Sequence, residues 1–123
     1  VIAMAKTVKK VYGWEITTFR NKNGELHNAK GPALKTDYGA GHWEHTWYVS
    51  GLKHRRGGPA EEYSDGRKWW YESGQLHRLD GPAVVFPQED SGGPGRYWVN
   101  GVSLTKDQFS LEQINAGVAS IGI

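Results

Sequence analysis

The chain has no cysteine, a single methionine and no long apolar run, and each shortage removes a class of structure. Without thiols there are no disulfides and no thiolate metal sites, although that absence says little about compartment. No stretch approaches the roughly 18 apolar residues of a membrane-spanning helix, so no membrane partner is expected. Val1-Ile2-Ala3-Met4-Ala5 is too short for a signal-peptide core and has no basic segment before it. Met4-Ala5-Lys6 reads as a natural start, residues 1–3 as an appended remnant, and the location as cytoplasmic. A formal net charge of +2 is too small to indicate nucleic acid, which normally requires a concentrated basic face.

What the chain does have is aromatic rings and glycine. Its 123 residues include 6 Trp, 6 Tyr, 3 Phe and 17 Gly. That length fits one small domain, 1–123, with a modest core, in which the rings must supply much of the buried area. Abundant glycine with few aliphatics predicts many tight turns between short strands.

The order of these residues is periodic. Asn23-Gly24-Glu25-Leu26-His27, Ser50-Gly51-Leu52-Lys53-His54 and Ser73-Gly74-Gln75-Leu76-His77 each place a His three residues after a turn Gly. Gly-Pro follows at seven and eight and Ala at nine, giving Gly31-Pro32-Ala33, Gly58-Pro59-Ala60 and Gly81-Pro82-Ala83. A fourth copy opens with Asn100-Gly101 and breaks off. The turn glycines are 27, 23 and 27 residues apart, the period of a repeat protein.

Each unit reads as two strands: an aromatic run before the turn Gly, and Ala33–Thr36, Ala60–Tyr63 or Ala83–Phe86 after Gly-Pro. Proline lacks an amide donor, so Gly-Pro belongs at a strand entrance or bulge. Ser64-Asp65-Gly66 predicts a hairpin in the middle unit. The outer units carry longer loops at the same place, 37–42 and 87–95, which should project from one edge. Residues 6–22 read as a strand segment pairing with the first repeat and covering its edge. At the far end Thr105 and Gln108 fit a capping box and Gly117 a helix stop, predicting a short C-terminal helix followed by an apolar tail.

Counting back from the turn Gly, Tyr48, Tyr71 and Trp98 lie three residues before it and Trp47, Trp70 and Tyr97 four before it. Adjacent strand residues face opposite ways, so stacked units make two aromatic columns, one on each side of the sheet. One column suffices for a core. The other is either covered by the N-terminal segment, the C-terminal helix or a twin subunit in a homo-oligomer, or it is an exposed strip that grips a partner.

The run Trp70-Tyr71-Glu72-Ser73-Gly74-Gln75-Leu76-His77-Arg78-Leu79-Asp80-Gly81-Pro82-Ala83, with Trp98-Val99-Asn100-Gly101 and Leu104-Thr105-Lys106-Asp107-Gln108-Phe109 after it, resembles a family of small repeat proteins found mainly in tailed bacteriophages and large viruses. It is more distantly similar to MORN-type repeats and to bacterial antitoxins built from Tyr-rich units with Gly turns. The resemblance covers residues 23 to 109. It implies a mainly β fold, an antiparallel β-hairpin repeat array with a helical end, and a phage source, which would place the protein in the host cytoplasm. It implies no catalytic chemistry, since MORN-like arrays mostly bind proteins or lipids. The first unit departs from the pattern, with Asn28 for Arg and Lys30 for Asp.

Recurring His27, His54 and His77 invite a catalytic reading, with Asp80 orienting His77. A catalytic group is needed once, however, and these recur with the period of the fold. Their expected task is to hydrogen-bond the backbone leading to Gly-Pro. His42-Trp43-Glu44-His45 is a weak metal candidate, because i, i+3 histidines oppose each other on a strand. Lys53-His54-Arg55-Arg56 with Arg78 could form an anion pocket near stacking rings, or a solvated edge in which Arg78 pairs with Asp80 or Glu72. Gly92-Gly93-Pro94-Gly95 lacks the ending of a phosphate loop.

The expectation is a module that is not an enzyme, needs no cofactor or metal and binds a host protein, a host factor or a defence component. Tyr48, Tyr71, Trp98, Trp43, Arg55 and Arg78, with loops 37–42 and 87–95, are the expected contact residues. The alternatives are a binder of a phosphorylated small molecule or nucleotide, using Arg55 and Arg78, and a virion or assembly component.

Overall fold

Alternation of β-branched and aromatic residues with Gly-containing turns dictates a meander, and the computed structural model, which describes residues 4–90 and 93–117, has that form. The readings of residues 1–3, of the apolar tail after Gly117 and of residues 91–92 fall outside the described residues. The rest of the loop expected at 87–95 is strand instead, since the chain continues its pairing through 87–90 and resumes it at 93–95. The strands are β1 (Ala5–Val11), β2 (Trp14–Arg20), β3 (Leu34–Gly39), β4 (His42–Thr46), β5 (Tyr48–Val49), β6 (Leu52–Lys53), β7 (Glu61–Tyr63), β8 (Lys68–Trp69), β9 (Tyr71–Glu72), β10 (Gln75–Leu76), β11 (Val84–Asp90), β12 (Gly93–Val99) and β13 (Val102–Leu104). One helix, α1 (Lys106–Asn115), follows. Nine strands form an open antiparallel sheet in the order β1-β2-β3-β4-β7-β8-β11-β12-β13, while β5/β6 and β9/β10 are small hairpins continuing from it. Among the described residues no helix is long and apolar enough to cross a membrane.

The sequence repeat is repeated in the backbone bonding. The amide N–H groups of His27, His54 and His77 donate to the carbonyls of Phe19, Trp47 and Trp70. Those of Asn28, Arg55 and Arg78 donate to Tyr48, Tyr71 and Trp98 of the next unit, and those of Gly51, Gly74 and Gly101 to Leu26, Lys53 and Leu76 of the preceding one. Each unit is therefore sewn to its neighbour at two points. The turns Ser50-Gly51, Ser73-Gly74 and Asn100-Gly101 have positive φ at both residues, the type I′ geometry that matches strand twist. The first unit instead uses a longer turn, in which Asn21 Oδ1 accepts from the amides of Asn23 and Glu25.

Residues 6–22 differ from a single covering strand. They form a hairpin of β1 and β2 turning at Tyr12-Gly13, with φ of 52° and 83°, and β2 rather than β1 pairs with β3. Tyr12 and Gly13 both take the positive φ of a type I′ turn, so a continuous run of strand-forming residues folds back on itself.

The core is thin. Ala33, Ala60 and Ala83, the last residues of the repeated motif, are 0% exposed, and Thr46, Glu61, Val84, Val99 and Phe109 are also buried. Half-buried aromatic rings supply most of the remaining covered area. Helix α1 begins at the expected cap: Thr105 Oγ1 accepts from the Gln108 amide at 3.2 Å and Gln108 Oε1 from the Thr105 amide at 2.9 Å. It seats Phe109 against Tyr97, ring centres 4.5 Å apart, and Gln113 donates to the Leu79 carbonyl. The helix thus closes the Trp47–Trp70–Tyr97 column at one end.

Candidate functional site

The recurrent imidazoles are joints between units. His27, His54 and His77 Nδ1 accept hydrogen bonds from the backbone N–H of Ser50, Ser73 and Asn100, at 2.9, 2.9 and 3.0 Å. An accepting Nδ1 puts the proton of the neutral ring on Nε2, and the donor satisfied is in each case the first residue of the next unit's tight turn. The expected backbone role is thus met one unit onward instead of within the His-to-Pro stretch. His77 Nε2 also lies 3.4 Å from Glu72 Oε2.

The arginines of the motif are clamps. Arg78 stacks on Trp70 with Cζ 3.9 Å from the ring centre, its Nη1 donates to the Pro82 carbonyl at 3.0 Å, and its Nε donates to Asp80 Oδ1 at 2.7 Å. Arg55 stacks on Trp47 at 3.9 Å, and its Nη1 donates to the Pro59 carbonyl and Glu62 Oε1. In the first unit Asn28 keeps the same bond, donating to the Pro32 carbonyl at 3.1 Å. The departure from the motif at this position thus preserves the bond that shapes the Gly-Pro loop. Arg55 and Arg78 line one groove of about 540 Å³ over Trp70. A second groove of about 450 Å³ repeats it one unit earlier over Trp47, and Arg55 and Arg56 border both.

Tyr48, Tyr71 and Trp98 lie on the other face and are half-buried. Tyr71 stacks on Trp69, ring centres 6.5 Å apart, beneath the Lys53 ammonium, which is 5.0 Å from the Tyr71 ring centre and bonded to Glu61 at 3.1 Å. Burial pushes the Tyr71 hydroxyl up. For Lys53, burial pulls down, but the hydrogen bond and charge of Glu61 more than offset it and the ammonium is held above its ordinary range. Burial, then the hydrogen bond to Glu61, pushes the Tyr63 hydroxyl well above its ordinary value. These groups form a packed polar and aromatic cluster around the buried Glu61.

Trp43 stands apart from that column. It stacks on His45 with centres 4.3 Å apart and its amide donates to Ser64 Oγ. Burial, then the Lys35 charge, pulls the His45 imidazolium down against the opposing pull of Glu62. His42 and His45 take opposite faces of β4, and among the described residues no three His, Cys, Asp or Glu side chains gather as metal ligands.

The loop expected at 37–42 shortens to the tight turn Ala40-Gly41, because β3 runs to Gly39 and β4 begins at His42. A meander puts alternate turns at alternate ends, so Tyr12-Gly13, Ala40-Gly41 and Ser64-Asp65-Gly66 share one end of the sheet. The largest exposed aromatics collect there. Tyr12 is 95% exposed, and Trp14 and Tyr38, 43% and 38% exposed, meet edge to face with ring centres 4.8 Å apart. Tyr38 donates to Glu44 Oε2 at 2.8 Å, a bond that raises its hydroxyl pKa. Trp43, Tyr38, Tyr63 and Arg67 line a groove of about 310 Å³ at this end. Reading 6–22 as one strand hid the turn that exposes Tyr12 and Trp14; Gly13 between two strand-forming runs was the available signal.

No family model, no curated protein and no solved structure matches the chain. The fold defines an antiparallel hairpin array with a C-terminal helix, and the reading of its function rests on the geometry above.

Proposed function

We propose that the protein is a non-catalytic binding module that holds another protein, a bacterial host factor in view of the phage-type motif, through the turn end of its sheet. The observation that carries this reading is the set of exposed rings at that end: Tyr12, and Trp14 meeting Tyr38, which shares a groove with Trp43. Rings presented to solvent at one end are what interface hot spots are made from. Half-burial of Tyr48, Tyr71 and Trp98 against Lys53, Glu61 and Trp69 favours packing as their main task. Engagement of Arg55 and Arg78 with their own loops and carboxylates supports the same division, and weighs against a phosphorylated ligand held by those two guanidinium groups.

The test is affinity capture from bacterial lysate with the wild type and with a Tyr12→Asn, Trp14→Thr, Tyr38→Thr variant. A stoichiometric protein held by the wild type and lost by the folded variant supports the reading. Equal capture by both overturns the surface, and a nucleotide released on denaturing the purified protein would favour a ligand-binding role.

A further inference from the structure

The two grooves on the Trp47–Trp70 face are internal copies, and the residues that differ between them define a chemistry. In the groove over Trp70, Glu72 Oε2 lies 3.4 Å from His77 Nε2. In the groove over Trp47 the equivalent histidine is His54, and Val49 stands where Glu72 stands. Because the Ser73 amide donates to His54 Nδ1, the remaining His54 proton is on Nε2, and it meets no carboxylate of the chain among the described residues.

Charge differs in the same sense. Lys30 and Arg56, both exposed and without an ion pair among the described residues, border the groove over Trp47. Gly57 and Leu79 take those places one unit later. Glu72 and Asp80 line the later groove, whereas no acidic residue lines the earlier one.

We propose that the groove over Trp47 binds a carboxylate side chain of an extended acidic peptide segment. The carboxylate accepts from His54 Nε2–H in the place that Glu72 takes beside His77, in a groove that Lys30 and Arg56 also line. Carboxylate is named because it is the group the fold itself sets beside this imidazole in the next unit. Exposed cations alone bind weakly, but an oriented N–H in the same groove adds direction to their charge. The inference rests on the protein-binding reading, since the ligand is a peptide, but it uses a different surface.

The experiment is an NMR titration of the whole protein with an acetylated Val-Glu-Val-Glu-Val peptide, with its Gln counterpart and with inorganic phosphate. The ring signals of His54 should shift with the Glu peptide and those of His27 should not. The Gln peptide should bind about tenfold or more weakly, the loss of one charged hydrogen bond. Val49→Glu should abolish binding, because its own carboxylate then reaches His54 as Glu72 reaches His77. Should Val49→Glu fail to fold, a Lys30→Ala, Arg56→Ala variant makes the same decision through a drop of about tenfold.

Equal binding of the two peptides, phosphate shifting His54 as strongly as the Glu peptide, or unchanged binding by the folded variant would each overturn the assignment. The turn-end reading fails separately, if the Tyr12 variant captures what the wild type captures.

Discussion

The Arg78 guanidinium lies between the Trp70 indole, 3.9 Å from its centre, and Gly81, where an added Cβ would come within 2.9 Å of Arg78 Cζ. Arg55, Trp47 and Gly58 repeat the arrangement, with a Cβ at Gly58 meeting Arg55 Cζ at 3.0 Å. The Gly before Pro is therefore the far wall of a slot for a flat cation, and φ is ordinary at both positions. Arg78→Ala should cost about 1–3 kcal/mol, combining the ring contact with the bond to the Pro82 carbonyl. Arg78→Lys should recover little, because an ammonium cannot stack flat and reach both Pro82 and Asp80. Gly81→Ala should approach Arg78→Ala by pushing the guanidinium out. Urea denaturation of the three variants checks this; a neutral Gly81→Ala would show that the slot is not needed.

The histidine joints make a second, separable prediction. His54→Ala removes the acceptor of the exposed Ser73 amide, at a cost of about 0.5–1.5 kcal/mol since water can take its place. The Ser73 amide should then exchange with solvent faster while that of Ser50, held by His27, is unchanged. Equal acceleration at both, or at neither, would show that the imidazoles do not join individual units.

The array, its Gly turns and the capped helix were legible because each follows from local chemistry: Ser73-Gly74 needs positive φ, and Thr105 with Gln108 needs nothing beyond one helical turn. The pairing of Arg78 with Asp80 was legible for the same reason, two residues being the whole distance. What depends on the partner strand was not. His77 is 23 residues from Asn100, and its hydrogen bond appears only when two units are set in register. The Tyr12-Gly13 turn was hidden because Tyr resists positive φ, so propensity argued against the conformation it has.

Titration gives a third prediction, with the sign fixed by the directions of the shifts. His45 is pulled below its ordinary 6.5, so below that pH the unfolded chain takes up more protons than the folded one. Its contribution is present above about pH 6.5 and is lost as pH falls through the lower folded value. Tyr63 and Tyr71 are raised from 10.0, so their contribution is present below pH 10 and is lost above it. The melting temperature should fall on both sides of this window, and His45→Gln should flatten the limb just below pH 6.5. An unchanged acid limb in that variant would assign it to other groups.

The last prediction separates stability from binding at a single residue. Tyr12 has φ of 52° and is 95% exposed, so the fold carries a bulky ring in a left-handed conformation without burying it. The left-handed region costs an ordinary residue about 1–2 kcal/mol, and Asn, which bonds to its own backbone there, less. Tyr12→Asn should therefore keep or raise the melting temperature while removing the captured protein. A ring that served the fold would behave in the opposite way, its loss lowering the melting temperature and leaving capture intact in the molecules that remain folded. Measuring both quantities on the same preparation decides between the two, because Asn keeps the positive φ that the type I′ turn requires and removes only the ring.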